Sequence, residues 1–209
     1  MSTAVAASGA RIELGAHTLP YRAHPFDRAL EGIAARGFGY VGIWNDHGGS
    51  PVVPPDAGPA QIDAVRRRIE SHGLIPRMAF GFGNRQESRD AQLRRSIEVA
   101  SALGIQYVIS SGPGPYVKAF TQRKRDMLFR RECDEYIATL RALAPVAERA
   151  GVVITPKPHM GITGTGADLA DLVELIDHPS VRICYDAGNI AFYEGLKPED
   201  DVKDCARHV

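Results

Sequence analysis

The chain has 209 residues, which is enough for one large domain or two small ones. Its apolar residues make up 44% of the sequence and can fill a core, so the composition excludes a wholly disordered chain. The 25 Lys and Arg residues balance the 25 Asp and Glu residues, which argues against a nucleic-acid partner because such proteins need a basic surface.

The beginning of the chain and its cysteines predict the cellular setting. Residues 1–10 have neither the basic start nor the apolar centre of a signal peptide, and we expect them to form a disordered tail. No apolar stretch approaches the length of a membrane span, so we expect no membrane partner. The cysteines are far apart and odd in number, which is typical of reduced thiols in a cytoplasmic protein.

A recurring junction organises the rest of the chain. A segment with helical periodicity ends in Gly, and a short apolar run follows it. This junction occurs in AARGFGYVGIW, ESHGLIPRMAF, SALGIQYVIS and ERAGVVITPK. Gly stops a helix because it adopts the left-handed conformation at low cost. The Val, Ile, Tyr and Phe residues that follow favour a strand.

The predicted elements alternate strictly. In chain order, the strands cover about 11–17, 40–45, 74–81, 105–111, 152–157 and 181–186, and the helices lie near 26–36, 59–72, 87–103, 123–150 and 166–177. This alternation predicts a parallel sheet, either an open doubly wound sheet or a (β/α)8 barrel. No GxGxxG or P-loop pattern follows the first strand, which weakens the nucleotide-binding versions. Eight βα units need roughly 250 residues, so this chain has room for six.

Ligands of such folds bind at the C-terminal ends of the strands, and polar residues follow most of the predicted strands. These residues are His17, Asn45, Asp46, His47, Ser110, Ser111, Lys157, His159, Asp186 and Asn189. Because side chains alternate along a strand, Val153, Lys157 and His159 share one face. If Val153 faces a barrel interior, the other two face its mouth. A buried Lys157 needs an anion, which is either Asp186 alone or a bound anionic intermediate.

Several segments resemble the xylose isomerase-like TIM-barrel superfamily, the sugar phosphate isomerase/epimerase group. They are SIEVASALGIQYVISSGPG, ERAGVVITPKPHMGITGTGADLADLVELIDHPSVRICYDAGNIAFYEG and DDVKDCARHV. The resemblance implies an α/β fold of the (β/α)8 TIM-barrel type, with about six of the eight βα units present as a partial barrel over residues 11–209. Such a chain looks truncated before the seventh strand. Its open edges predict a homo-oligomer or a partner subunit that covers them.

The resemblance also implies a metal site. Relatives hold a divalent metal with a Glu, an Asp, a His and a second Glu. Lys157 stands at the first Glu position in PKPHMG, His159 matches the His of that pattern, and Asp186 matches the Asp of YDAGN. Asn189 stands where many relatives have His, and the third ligand would follow Val209. The implied site for Mn, Mg or Co therefore has Asp186 as a ligand and a lysine that weakens or replaces the metal.

The function that the resemblance implies is that of an isomerase or epimerase in carbohydrate metabolism. It would convert a sugar, or a sugar-like polyol or keto compound, through an enediolate. The predicted catalytic residues are Lys157 and His159, and the predicted substrate-binding residues are His17, Trp44, His47 and Asn189. Core packing remains the alternative for Trp44. The alternative functions are a lyase or dehydratase acting on a keto sugar or glycoside, and a non-catalytic sugar-binding subunit.

Overall fold

The structure is a computed structural model, and it describes residues 12–83, 86–113, 127–159 and 161–209. The predicted tail over residues 1–10 lies outside the described residues. The strands are β1 (Gly15–His17), β2 (Tyr40–Ile43), β3 (Asp46–His47), β4 (Ser50–Pro51), β5 (Ile75–Phe80), β6 (Tyr107–Ser111) and β7 (Val153–Lys157). The α-helices are α1 (Phe26–Ala34), α2 (Pro59–Glu70), α3 (Arg89–Leu103), α4 (Met127–Arg149), α5 (Gly166–Ile176), α6 (Ala187–Asn189) and α7 (Pro198–Asp201).

Five strands form one parallel sheet in the order β1-β2-β5-β6-β7. The order follows the chain, with helices crossing between successive strands, so the predicted strand–helix alternation and the TIM-barrel type of fold are confirmed. The remaining strands, β3 and β4, form a small antiparallel hairpin directly after β2. All five parallel strands consequently present their C-terminal ends at the same side of the molecule.

The predicted sixth strand over residues 181–186 is present only in part. A single parallel bridge joins Ile154 to Val181, and the backbone amides of Arg182 and Cys184 donate to carbonyls of β7. On its other side, the amide of Ile183 donates to the carbonyl of His208 at 2.8 Å. The segment thus continues the sheet beyond β7 and brings Asp186 beside the end of that strand.

The four predicted junctions end their helices through glycine. The junction glycines all have positive φ, between 68° and 81°, and they are Gly37, Gly73, Gly104 and Gly151. Glycine adopts this conformation without the strain that a β-carbon causes, and the chain passes from helix to strand over three to five residues at these junctions. At the other end of α3, the Ser88 side chain accepts the Ala91 amide at 3.2 Å and so caps the helix.

The helices pack on the sheet through one continuous apolar core. Its largest fully buried side chains include Leu30, Ile43, Ile69, Ile97, Leu140 and Ile154. Burying each such side chain stabilises the fold by about 1.5–3 kcal/mol. Within the described ranges, the chain has no helix that is both long and apolar enough to cross a bilayer.

A buried carboxylate braces the end of the chain against α5. The Asp201 side chain is 7% exposed, and both of its oxygens accept the Gly166 amide at 3.0 Å. One oxygen also accepts the Tyr185 hydroxyl at 2.9 Å. The carboxylate therefore neutralises the positive end of the α5 dipole, and Tyr185 points away from the cavity side, where its neighbour Asp186 lies.

Replacing Asp201 with alanine is expected to lower the free energy of unfolding by about 2–3 kcal/mol. The change removes a charged acceptor from two donors and from a helix N-terminus. Urea denaturation of the variant measures the loss. Asp200→Ala is the matched control, because Asp200 is exposed and forms its ion pair with the exposed Lys203, so its loss should stay below about 0.5 kcal/mol. Equal losses in the two variants would contradict the bracing role.

Candidate active site

A large cavity, called here the main cavity, opens at the C-terminal ends of the strands. Its volume is about 940 Å³. The described residues that line it come from five strand ends and the segments that follow them: Leu19, Arg22, Ala23, Trp44, Asp46, Phe80, Gln92, Ser111, Lys157, His159 and Asn189. Volumes of this size are typical of small-molecule sites in α/β proteins, and so is this location.

An ion pair forms the charged part of the site. The Lys157 Nζ lies 2.6 Å from the Asp186 Oδ2, and the two side chains are 13% and 29% exposed. Burial raises the pKa of Asp186, but the hydrogen bonds from Lys157 and from the Asn189 amide outweigh burial and hold the pKa below its ordinary value. Asp186 is consequently ionised near neutral pH. The Lys157 ammonium has three N–H donors, so one ion pair leaves it able to bind a second anion.

The segment after Asp186 completes this corner of the cavity. The Asp186 Oδ1 accepts the Asn189 amide at 3.0 Å and starts the short helix α6. The Asn189 side chain donates to the Pro158 carbonyl at 2.6 Å, which ties α6 to the residue between Lys157 and His159. The structure therefore brings together four of the predicted site residues, Lys157, His159, Asp186 and Asn189.

His159 is held as a neutral imidazole. Its backbone amide donates to the Thr163 carbonyl at 3.0 Å, and its ring lies 5.6 Å from the Tyr193 ring. Burial, followed by the charge of Lys157, lowers the pKa of His159 to about 4, against a smaller opposing effect of Asp186. A neutral imidazole can accept a proton or a hydrogen bond, and a nearby cation discourages it from carrying a charge of its own.

Trp44 is positioned by the end of β1. Its backbone amide donates to the Thr18 hydroxyl at 2.8 Å, and its ring meets the Phe80 ring edge to face at 4.9 Å. The ring lines the main cavity, as a substrate-binding residue should. Stacking on sugar C–H groups remains a prediction for this side chain.

The other two predicted substrate-binding residues lie elsewhere. His47 is buried, shares the Thr18 hydroxyl at 2.9 Å, and lines a separate cavity of about 300 Å³ between α1 and the β3–β4 hairpin. His17 lines a third cavity of about 380 Å³, nearer the N-terminal ends of the strands. The structure does not bring either histidine to the lining of the main cavity, and their roles in substrate binding stay predictions.

Arg22 and Gln92 line the main cavity although no pattern in the sequence indicated either residue. Arg22 follows a 3-10 turn after β1, and Gln92 lies in the first turn of α3. Neither residue ends a strand, so a search of strand ends misses both. Only the three-dimensional packing of these turns over the sheet reveals them.

The donor set around Asp186 does not fit a divalent metal. The ammonium of Lys157 has no lone pair to donate, and it occupies the carboxylate oxygen that a metal would use. No group of three His, Cys, Asp or Glu side chains that could hold a metal ion occurs among the described residues. The positive charge beside Asp186 therefore comes from Lys157, and Arg22 lines the same cavity.

The fold and the cavity define a parallel α/β barrel-type protein with a polar site at the strand ends. Residues 30–209 match the family described as xylose isomerase-like TIM barrel. The chain belongs to this family, which confirms the resemblance seen in the sequence. No curated protein matches the chain.

Solved structures share the fold at low sequence identity. A xylose isomerase-like TIM barrel protein from Mycobacterium smegmatis in complex with magnesium has a TM-score of 0.73 and 16% identity, over 94% of this chain and 72% of that one. The 3-keto-D-glucoside 4-epimerase from E. coli has a TM-score of 0.71 and 18% identity, over 95% and 77%. A xylose isomerase domain protein from Planctomyces limnophilus has a TM-score of 0.66 and 17% identity, over 86% and 66%. The chain thus spans about two thirds to three quarters of the length of these structures.

Proposed function

We propose that this protein is a sugar isomerase or epimerase in which Lys157 stabilises an enediolate. The observation that carries the proposal is the position of Lys157, which lines the main cavity beside a neutral His159 and pairs with Asp186. Family membership supports a carbohydrate substrate, and so does the fold shared with the 3-keto-D-glucoside 4-epimerase.

Lys157 supplies the charge that the reaction requires. When a proton leaves the carbon next to a carbonyl, the electron pair moves onto the carbonyl oxygen and forms an enediolate. The ammonium donates a hydrogen bond to that oxygen and balances its new charge in a partly buried site, where such interactions are strong. Asp186 holds the ammonium in place by accepting a hydrogen bond from another of its three N–H groups.

We assign the proton transfer to His159. Its imidazole is neutral and lines the same cavity. It can take the proton from the carbon because the negative charge of the forming enediolate offsets the effect of Lys157, which by itself disfavours a protonated ring. Return of the proton by His159 to the neighbouring carbon gives the isomer. The epimer forms when a water molecule on the opposite face of the carbon supplies a proton, and His159 then releases its own proton to the resulting hydroxide. No proton is gained or lost overall in either case.

Incubation with ketoses in deuterated water tests the proposal. D-fructose, D-tagatose and D-psicose are each incubated with the protein and followed by NMR. An epimer or isomer that carries deuterium at the exchanged carbon supports the proposal, because the proton leaves and returns through an enediolate. Release of water from any of these ketoses, with no epimer or isomer formed, would replace the isomerase with a lyase. Binding without any exchange would indicate a sugar-binding subunit.

A further inference from the structure

A second cavity, called here the side cavity, adjoins the main cavity. Its volume is about 220 Å³, and it lies between the ends of β2, β5 and β6 and the first turns of α3. The two cavities share the lining residues Trp44, Phe80, Gln92 and Ser111. One water needs about 10–15 Å³ of such space, so the side cavity can hold a ligand group much larger than a water molecule.

The walls of the side cavity are fixed by hydrogen bonds. The Ser96 hydroxyl accepts the Phe82 amide at 2.9 Å and donates to the Gln92 carbonyl at 2.6 Å. On the opposite wall, Arg89 donates to the Ser111 carbonyl at 3.0 Å, and its guanidinium lies 5.2 Å above the Tyr136 ring. A cavity held open in this way needs little reorganisation to admit a ligand.

Two residues of the lining each carry a polar side-chain atom that has no protein partner within the described residues. These atoms are the indole Nε1 of Trp44 and the amide Oδ1 of Asn45, both shielded from solvent. A buried donor or acceptor without a partner costs about 1–3 kcal/mol, and a turn of either side chain toward the cavity would let a ligand supply the missing bond. One atom is a donor and the other is an acceptor, and a sugar hydroxyl can serve either.

From these observations we infer that the side cavity binds a second glycosyl unit, so that the substrate is a keto-sugar glycoside and not a free monosaccharide. This inference rests on the proposed function for the location of the reacting sugar. The reacting ring lies in the main cavity beside Lys157, and the attached ring passes Trp44 into the side cavity. The side cavity has aromatic faces for C–H groups, together with amide, hydroxyl and guanidinium groups for hydroxyls, which is the mixture that a sugar ring needs.

Trp44 is the one tryptophan of the chain, so its fluorescence reports directly on binding at the boundary of the two cavities. D-fructose is titrated in parallel with the keto-disaccharides turanose, maltulose and isomaltulose, which join glucose to fructose through different hydroxyls. We expect at least one disaccharide to bind about tenfold or more tightly than D-fructose. The gain comes from the bonds made in the side cavity.

Asn45→Leu is the informative variant. Leucine is close to asparagine in size, and the Asn45 side-chain oxygen accepts no hydrogen bond within the described protein, so the exchange removes the acceptor at little cost to the fold. It is expected to abolish the advantage of the disaccharide and to leave D-fructose binding unchanged. Asn189→Leu makes the same exchange in the main cavity and should weaken both ligands alike.

The outcomes separate the two proposals. Equal affinity for D-fructose and all three disaccharides would overturn the side-cavity assignment while leaving the proposed function intact. An Asn45→Leu variant that keeps the full disaccharide advantage would overturn it as well. No response to any of the four sugars would overturn both proposals together.

Discussion

Replacing Lys157 with methionine is expected to lower kcat for ketose epimerisation by about 10²- to 10³-fold. Methionine keeps much of the length of the lysine side chain but has no charge, so the enediolate oxygen loses the group that balances it. Losses of this size are typical when one preorganised donor to a developing oxyanion is removed. The rate of deuterium incorporation into the substrate, followed by NMR, measures the effect on the chemical step.

Two further variants make this result specific. Lys203→Met makes the same exchange at an exposed lysine that forms an ion pair with Asp200, and it should leave kcat unchanged. Lys157→Arg keeps the charge but spreads it over a larger planar group, so its kcat should lie between those of the wild type and Lys157→Met. A Lys157→Met protein that is folded and within about threefold of the wild-type kcat would remove Lys157 from the mechanism.

The pairing of Lys157 with Asp186 could be predicted from the sequence because regular structure determines it. Lys157 ends one strand, and Asp186 ends the next parallel segment, so both arrive at the same edge of the sheet. The junction glycines fix where each strand begins, and strand alternation then decides which side chains face the cavity. The fold and the Lys157–Asp186 ion pair both follow from regular sequence patterns. These patterns have a period of two residues in strands and about 3.6 residues in helices.

The wider lining of the cavity could not be predicted in the same way. After Ile43 the chain leaves β2 for the β3–β4 hairpin, where alternation along the parallel strand no longer applies, and His47 turns toward α1. Arg22 reaches the main cavity from a 3-10 turn whose direction depends on packing. Side chains on such irregular segments are placed by tertiary contacts, which local patterns do not encode.

One residue distinguishes this site from the metal site that the resemblance implies. At the position where the resemblance places a metal-ligating Glu, this chain has Lys157, and the structure pairs it with the carboxylate that matches a second ligand. A lysine on this strand carries a positive charge on its own side chain. A carboxylate at the same position can bring a positive charge to the site only by binding a metal ion. The proposed enediolate chemistry needs a positive charge near the carbonyl oxygen, and either arrangement provides one.

Acidification from pH 6.5 to pH 4 is expected to lower the free energy of unfolding, with His17 contributing about 2 kcal/mol of the loss. Burial, followed by the charges of His47 and Lys157, lowers the pKa of His17 to about 4, whereas an unfolded histidine titrates near 6.5. Between these values the unfolded chain binds the proton and the folded protein does not. The contribution of His17 to the free energy of unfolding is therefore fully present above pH 6.5 and is lost as the pH drops toward 4. His159 adds to the fall in the same range.

His17→Asn isolates the His17 contribution. The His17 Nδ1 accepts the Leu19 amide at 3.1 Å, and the asparagine oxygen can take over that acceptor role without titrating. Urea denaturation at pH 7, 6, 5 and 4.5, followed by Trp44 fluorescence, should show a shallower fall for this variant than for the wild type. His24→Asn, at an exposed histidine, should reproduce the wild-type curve. If His17→Asn also followed the wild-type curve, the titration of this buried histidine would not be the source of the acid sensitivity.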